Sequence, residues 1–187
     1  MLHQGLHPEQ GYVFEIAREL GVTLKILQHA KPTASCQEKL NLLQENSDFK
    51  DWTLNMIVKA LYFHRNGGPL IGIITPELNR NPNPREIFPK LLGISKSKAE
   101  KYWAKPDRVP KGMMIGTCSP FPLASSMGSE ISDLIVTSPQ SIDDKLVDIS
   151  VGGLDEISFR TSMHLPYGAI YQILKRQFGE RVHLYTQ

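Results

Sequence analysis

The clearest strand pattern in the sequence is Thr53-Leu54-Asn55-Met56-Ile57-Val58-Lys59-Ala60-Leu61-Tyr62-Phe63-His64. A glycine-rich turn follows it closely. Its apolar residues fall on both parities, which is typical of a strand whose two faces are at least partly buried. Asn66-Gly67-Gly68 can adopt positive φ at little cost, and a second apolar run extends from Pro69 to Thr75. We therefore predict a β-hairpin here.

The other elements predict an α/β (α+β type) fold, with a mixed, mostly antiparallel curved sheet flanked by helices. Capping residues and helical spacing predict helices from Pro8 to Leu20, from Ser35 to about Gln44, from Asn83 to Gly93, from Ser95 through Trp103 and from Pro166 to Phe178. Further strands are predicted over residues 22–28, 131–137, 146–151, 156–161 and 181–185. Residues 105–122, rich in Pro and Gly, should form an irregular loop.

The length and composition favour a single domain. The 187 residues are 41% hydrophobic, which is enough for a substantial core, and no repeat or linker divides them. We expect one domain over residues 1–187, with an N-terminal helical extension of about residues 1–20.

The net charge limits which partners are expected, and the cysteine spacing indicates the redox compartment. The net charge of +2 creates no global field for a polyanion, so any nucleic acid must be bound by a local patch. Cys36 and Cys118 form no CxxC pair, which favours a reducing compartment. The N-terminus lacks a basic, apolar leader, and no apolar run reaches about 18 residues. We expect a cytoplasmic protein that is neither secreted nor membrane-spanning.

Common catalytic and cofactor motifs are missing from the sequence. There is no GxGxxG, no GxxxxGK[ST] and no GxSxG, so dinucleotide, phosphate-loop and hydrolase-elbow mechanisms lack their backbone geometry. His3 and His7 stand four apart, but no second Cys/His pair follows to complete a zinc site. We predict no metal site and interpret the two histidines as solvated.

Lys59 is the most informative single residue, because it interrupts an apolar strand where a charge is costly unless it reaches water or a partner. An ammonium that faces a cleft would suit an anionic ligand. The alternative is an edge or solvent-facing lysine whose aliphatic stem covers apolar surface.

The segment Gly116-Thr117-Cys118-Ser119-Pro120-Phe121 is the second candidate. A glycine followed by small polar residues and a proline can present rigid backbone N–H groups to an oxygen ligand, although an ordinary surface turn has the same composition. No histidine lies near Cys118 in sequence, so we interpret it as a small residue that fills the loop rather than as a nucleophile.

Two further features are weaker. Gly152-Gly153 follows a predicted strand and permits close approach by a ligand, although such pairs often simply form a turn. His29 and His164 sit at predicted element ends, where capping is commoner than proton transfer. Only convergence of these histidines with Lys59 would favour a catalytic role.

In this order, the segments resemble the YbaK/aminoacyl-tRNA synthetase-associated editing family, found free-standing and inserted in prolyl-tRNA synthetases. The similarity extends from about Leu20 to Leu174. It rests on Glu19-Leu20-Gly21-Val22 leading into Leu27-Gln28-His29, on Ile57–Phe63, on Gly116–Phe121 and on Val147–Gly153.

This resemblance implies an aminoacyl-tRNA deacylase, a carboxylic ester hydrolase that acts in trans on a mischarged tRNA such as Cys- or Ala-tRNA(Pro), with no metal or organic cofactor. The implied partners are the acceptor end of aminoacyl-tRNA and an aminoacyl-tRNA synthetase, but neither DNA nor a membrane; the oligomeric state stays open. Lys59 would hold the tRNA terminus, while the backbone at Gly116 would position the aminoacyl carbonyl across a shared cavity. Substrate contacts would come from His29, Ala60, Thr117, Cys118, Ser119, Pro120, Phe121, Gly152 and Gly153.

The sequence departs from the family pattern at several positions. Ala60 stands where a hydroxyl or amide residue is common, Pro122 stands where a glycine is common, and Leu154-Asp155-Glu156 is unusually acidic. Ala60 and the acidic stretch favour a rival hypothesis, a non-catalytic module with the same fold that binds tRNA, a nucleotide or a protein. A third hypothesis is an enzyme that acts on another small acylated substrate.

Overall fold

A computed structural model describes residues 6–33, 35–76, 82–104, 108–114, 118–138 and 144–186. Its seven strands form one sheet in the order β1-β6-β5-β2-β3-β4-β7. The strands are β1 (Lys25–Gln28), β2 (Ile57–Phe63), β3 (Leu70–Pro76), β4 (Ile131–Ser138), β5 (Leu146–Ser150), β6 (Thr161–Pro166) and β7 (Val182–Thr186). The helices are α1 (Gly11–Glu19), α2 (Cys36–Gln44), α3 (Pro84–Leu92), α4 (Lys96–Ala99), α5 (Glu156–Phe159) and α6 (Tyr167–Phe178).

The predicted mixed, mostly antiparallel sheet flanked by helices is confirmed. Strands β1 and β6, β5 and β6, and β2 and β3 pair antiparallel, and these pairs hold the larger share of the paired residues. Strands β2 and β5, β3 and β4, and β4 and β7 pair parallel. The hairpin predicted around Asn66-Gly67-Gly68 is the β2–β3 pair, and Asn66 and Gly67 both have positive φ.

The two sides of the sheet are covered by different helices, because side chains alternate along each strand. One side, called here the α6 face, packs against α1, α6 and residues 109–114 and 118–127, and Ala60 and Tyr62 of β2 lie in its core. The other side, called here the α3 face, packs against α2, α3 and α4. On that side Ile57 joins the cluster under α2, whereas Phe63 joins the cluster under α3 and α4.

The N-terminal helix is part of the core on the α6 face. The ring of Tyr12 packs edge-on against Phe178 of α6, with centroids 5.3 Å apart. The Gln10 amide donates to the backbone oxygens of Phe121 and Val151 at 2.7 and 2.8 Å. This segment therefore ties the loop before β4 to the end of β5.

Three predicted elements have different bounds. Residues 156–161 were predicted to be a strand, but they begin with α5, because the Asp155 carboxylate accepts from the backbone N–H of Ser158 and caps a helical turn. The helix predicted through Trp103 ends at Ala99, since Trp103 exchanges two backbone hydrogen bonds with His64 at 3.0 and 3.1 Å.

Strand β1 begins at Lys25 rather than at Val22. The backbone N–H of Val22 instead donates to Ala17 O at 2.8 Å and closes the end of α1. The predicted irregular loop over residues 105–122 contains neither helix nor strand in its described parts, 108–114 and 118–122. Among the described residues, no helix is long and apolar enough to span a bilayer.

Candidate functional site

A row of polar residues crosses the α3 face of the sheet from strand to strand. Ser162 pairs with Ser150, and Lys59 pairs with Thr75. Ser150 and Lys59 lie side by side, one position beyond the last paired residues of β5 and β2. At the far end, the Thr137 hydroxyl donates to the Thr75 hydroxyl at 3.1 Å. We call these five residues the polar row.

The polar row separates the two hydrophobic clusters on this face. Along β2, Ile57 belongs to the cluster under α2 and Phe63 to the cluster under α3 and α4, with Lys59 between them. Lys59 and Ser150 are half-buried, whereas Ser162 is fully buried. Polar groups in the middle of an apolar face are costly unless they have partners, so the members of the row depend on the hydrogen bonds around them.

A buried ionic network lies beside the row. Lys39 of α2 has its Nζ atom 3.0 Å from Oδ2 of Asp148, and its hydrogen bond goes to the Ser150 hydroxyl at 3.2 Å. The other carboxylate oxygen of Asp148 lies 3.0 Å from Nε2 of His164. Because Asp148 is 0% exposed, its charge depends on these partners. The network thus fixes Lys39 against the polar row.

The pKa of Asp148 is lowered to about 2. Burial is the largest single influence and acts to raise the pKa, but the positive charge of Lys39 and the hydrogen bonds from His164 and Ser162 together outweigh it. Asp148 is therefore a carboxylate at neutral pH. It neutralises Lys39 rather than serving as a proton donor.

His29 closes the β6 end of the polar row. Its Nε2 atom lies 2.8 Å from the hydroxyl of Ser162. Burial, followed by the nearby charge of Lys39, lowers the pKa of the imidazole to about 4. His29 is thus neutral at pH 7 and can accept or donate a single hydrogen bond. A cleft of about 360 Å³ opens beside it, lined by Gln28, His29, Glu156, Ile157 and Arg160.

The structure separates Lys59 from the buried part of the Gly116–Phe121 loop, contrary to the expectation that they face each other. The Tyr62 hydroxyl donates to Ser119 O at 3.1 Å, and Phe121 packs in the core of the α6 face. Since Lys59 and Tyr62 are three residues apart on a regular strand, their side chains point to opposite faces. Gly116 and Thr117 lie outside the described residues.

The loop residues Ser119, Pro120 and Phe121 are buried. The side chains of Ser119 and Phe121 make contacts within the protein. The Ser119 hydroxyl accepts from the Phe121 N–H at 3.1 Å, and the Phe121 ring packs edge-on against Tyr12 at 6.5 Å. Ala60 is also buried, on the face opposite Lys59. A polar residue at that position would not stand beside the ammonium.

The glycine pair packs against the loop. A Cβ on Gly152 would lie 3.4 Å from the Ser119 Cβ atom, and the Gly153 N–H donates to Gly112 O at 2.7 Å. Gly153 has a φ of +100°, and a Cβ there would overlap the Ser158 hydroxyl. Glycine is therefore required where β5 leads into α5.

Cys118 is poorly suited to nucleophilic catalysis. Burial raises the pKa of its thiol to about 11, and the thiol donates to Met114 O at 3.4 Å. Such a thiol is protonated at neutral pH, whereas the thiolate is the reactive form. Within the described ranges, no group of three or more His, Cys, Asp or Glu residues can hold a metal ion. His7 caps the turn before α1, and His3 lies outside these ranges.

Lys59, His29 and His164 were predicted from the sequence as candidate site residues, whereas Lys39, Asp148, Ser150, Ser162 and Thr75 were not. A single aspartate or serine in a strand does not by itself indicate a site. One available signal was the alternation Asp148, Ser150 within an otherwise apolar strand, which places both side chains on the same face.

Comparison with solved structures identifies the same architecture elsewhere. The hypothetical protein APE2540 superimposes with a TM-score of 0.61 and 21% identity, over 93% of this chain and 97% of that one. A protein proposed to be a trans-editing enzyme for prolyl tRNA synthetase superimposes with a TM-score of 0.53 and 16% identity, over 95% and 96% of the two chains. The shared feature is the fold.

A third similar structure is a scaffold protein designed to present linear epitopes, with a TM-score of 0.53 and 13% identity over 97% of each chain. No family model and no curated protein matches the sequence. The fold expected from the resemblance is thus found in a proposed editing enzyme, at an identity that carries the fold and nothing finer.

Proposed function

We propose that this protein is an aminoacyl-tRNA deacylase that acts in trans, with the polar row around Lys59 as its substrate site. The observation that carries the proposal is the position of Lys59, half-buried between two hydrophobic clusters and flanked by the hydroxyl residues Ser150 and Thr75. The fold shared with a proposed trans-editing enzyme supports it.

In this proposal the Lys59 ammonium pairs with a phosphate at the 3′ end of the tRNA. A charge-assisted contact of this kind fixes the register of the terminal nucleotide. The hydroxyl of Ser150 then hydrogen-bonds to the ribose or the aminoacyl group. Lys39 donates to the Ser150 hydroxyl, so that oxygen is held in a defined orientation.

The reaction is hydrolysis of the ester between the amino acid and the terminal ribose. Water adds to the carbonyl carbon, the bond from that carbon to the ribose oxygen breaks, and the ribose oxygen takes up a proton. The neutral imidazole of His29 would contact the substrate at the β6 end of the row.

A non-catalytic module that binds the same RNA end is the second candidate. One observation favours it: Ser119 and Phe121 pack on the face opposite Lys59, so this half of the loop does not line the polar row. Such a module would retain Lys59 for affinity and would leave the ester intact.

The test is hydrolysis of a panel of mischarged tRNAs, including Ala-tRNA(Pro) and Cys-tRNA(Pro), by the wild type, Lys59→Ala and Lys25→Ala. Lys25 is an exposed lysine on the edge strand β1 and controls for the loss of one positive charge. We expect equal rates of hydrolysis by the wild type and by Lys25→Ala but a rate lower by about tenfold or more for Lys59→Ala. Binding without hydrolysis of any substrate would favour the module.

A further inference from the structure

The positive charge of this protein is concentrated on the α3–α4 lobe, which we define as residues 64–68, 82–104 and 108. The lobe contains seven Lys or Arg and two Glu, a formal charge of +5, although the whole chain carries only +2. The rest of the chain is therefore net negative. A local field of one sign attracts a polyanion even when the net charge of the protein is small.

We propose that the exposed lysines of this lobe bind the phosphate backbone of the tRNA acceptor stem. The inference rests on the proposed function and adds to it the surface that holds the body of the RNA. Lys96, Lys98 and Lys101 project from α4 and the turn after it, and all three are exposed. Among the described residues none of the three forms an ion pair or a side-chain hydrogen bond.

Most other charged side chains of the lobe contact groups of the protein, unlike Lys96, Lys98 and Lys101. Arg85 forms an ion pair with Glu100 at 2.5 Å, so the acidic residue within the lysine segment is neutralised. Arg108 donates to the backbone oxygens of Gly67 and Gly68 at 2.6 and 2.7 Å and holds the β2–β3 turn. Lys90 lies over the ring of Tyr185, 5.3 Å from its centroid.

The lobe is anchored to the strand that carries Lys59. Phe63, on the same face of β2 as Lys59, packs edge-on against Phe88 of α3 with centroids 6.1 Å apart. Phe88 in turn packs against Tyr102 at 5.2 Å, next to the exposed ring of Trp103. Four residues of strand separate Lys59 from Phe63, roughly 13 Å.

We infer that one RNA occupies both sites. With its stem on Lys96, Lys98 and Lys101, its single-stranded 3′ end would extend toward the polar row. Trp103 follows Lys101 by two residues and is 37% exposed, and an exposed aromatic ring offers a surface on which a base can stack. Phosphate contacts of this kind are independent of sequence and sensitive to salt.

The binding test uses unacylated tRNA(Pro) and measures the dissociation constant across a range of salt concentrations. The variant Lys96→Gln/Lys98→Gln/Lys101→Gln is called here the α4 variant. The control, Lys25→Gln/Lys50→Gln/Lys145→Gln, removes the same charge from exposed lysines elsewhere. We expect the α4 variant to bind about tenfold or more weakly at low salt, with a salt slope that is shallower by about one for each phosphate no longer neutralised. The control should match the wild type.

A hydrolysis arm separates this inference from the proposed function. The α4 variant should be impaired on full-length mischarged tRNA but equal to the wild type on an aminoacylated CCA fragment, whereas Lys59→Ala should be impaired on both. If the wild type hydrolyses neither substrate, the proposed function is refuted, while the binding measurements still decide the role of the lobe.

Equal tRNA affinity and equal salt slope in the wild type and the α4 variant would overturn the assignment. So would an equal decrease in affinity in the α4 variant and the control, since that result would reflect net charge alone. Thermal unfolding of each variant checks that its fold is retained.

Discussion

The Nζ atom of Lys39 lies 3.0 Å from Oδ2 of Asp148, and the two residues, more than a hundred positions apart in the sequence, are both buried. This ion pair joins helix α2 to the middle of the sheet. Replacing one member of such a pair leaves the other charge buried without compensation.

Asp148→Asn should therefore destabilise the protein by about 3–5 kcal/mol in urea unfolding at neutral pH. The matched control is Asp133→Asn, which breaks the partly exposed pair of Asp133 with His183 at 2.9 Å. Its cost should be at most about 1 kcal/mol. Equal effects of the two substitutions would contradict the role assigned to the Lys39–Asp148 pair.

Gly153→Ala should be strongly destabilising. The new Cβ would overlap the Ser158 Cβ and hydroxyl, and the φ of +100° is unfavourable for any side chain. Gly93→Ala is the control, because Gly93 also has positive φ but no atom within 4 Å of a Cβ. We expect a cost of about 1–2 kcal/mol at Gly93 from backbone strain alone and a clearly larger cost at Gly153. Thermal unfolding of both variants checks this.

The stability of the protein should fall as the pH is lowered from about 6.5 to about 4, in part because of His29. Its pKa is about 4 in the folded protein, against an ordinary value of 6.5, so in this window the unfolded chain binds a proton that the folded protein does not. His29→Gln can keep a hydrogen bond to Ser162 but cannot titrate. The urea midpoint should change less between about pH 7 and pH 4.5 in this variant than in the wild type. An equal change of the midpoint in the two proteins would refute the assignment.

Cys118→Ser should hydrolyse mischarged tRNA as fast as the wild type. The thiol, with its pKa raised to about 11 by burial, is protonated at neutral pH and donates to a backbone oxygen, which a hydroxyl can also do. Initial rates on one mischarged tRNA test this point. Complete loss of activity in a folded variant would make the thiol catalytic and would contradict our interpretation.

Elements whose ends are marked by local turn or capping residues could be predicted from the sequence. The turn Asn66-Gly67-Gly68 between two apolar runs predicted the central hairpin, and the serine cap at Ser35 predicted the start of α2. The prediction failed at residues 156–161, where Ile157 and Phe159 alternate as in a strand. There the Asp155 side chain captures the Ser158 N–H and favours a helical turn.

The site was only partly predictable, because its members come from distant strands. Lys59 is conspicuous since a charge is rare inside an apolar strand. Asp148 and Ser150 gain their meaning only from the parallel pairing of β5 with β2, which no local pattern specifies. The same limit explains the error about the loop: strand alternation decides that Tyr62, and not Lys59, meets Ser119.

The most direct test of the account is the initial rate of ester hydrolysis on mischarged tRNA(Pro) by the wild type and by Lys59→Ala, with equal folding of the two proteins established beforehand. A hydrogen bond from a charged group contributes about 1.5–3 kcal/mol of binding free energy. If this contact is made in the transition state, its loss should lower the rate of the variant by roughly 10- to 150-fold. Identical rates for the two proteins would contradict the account.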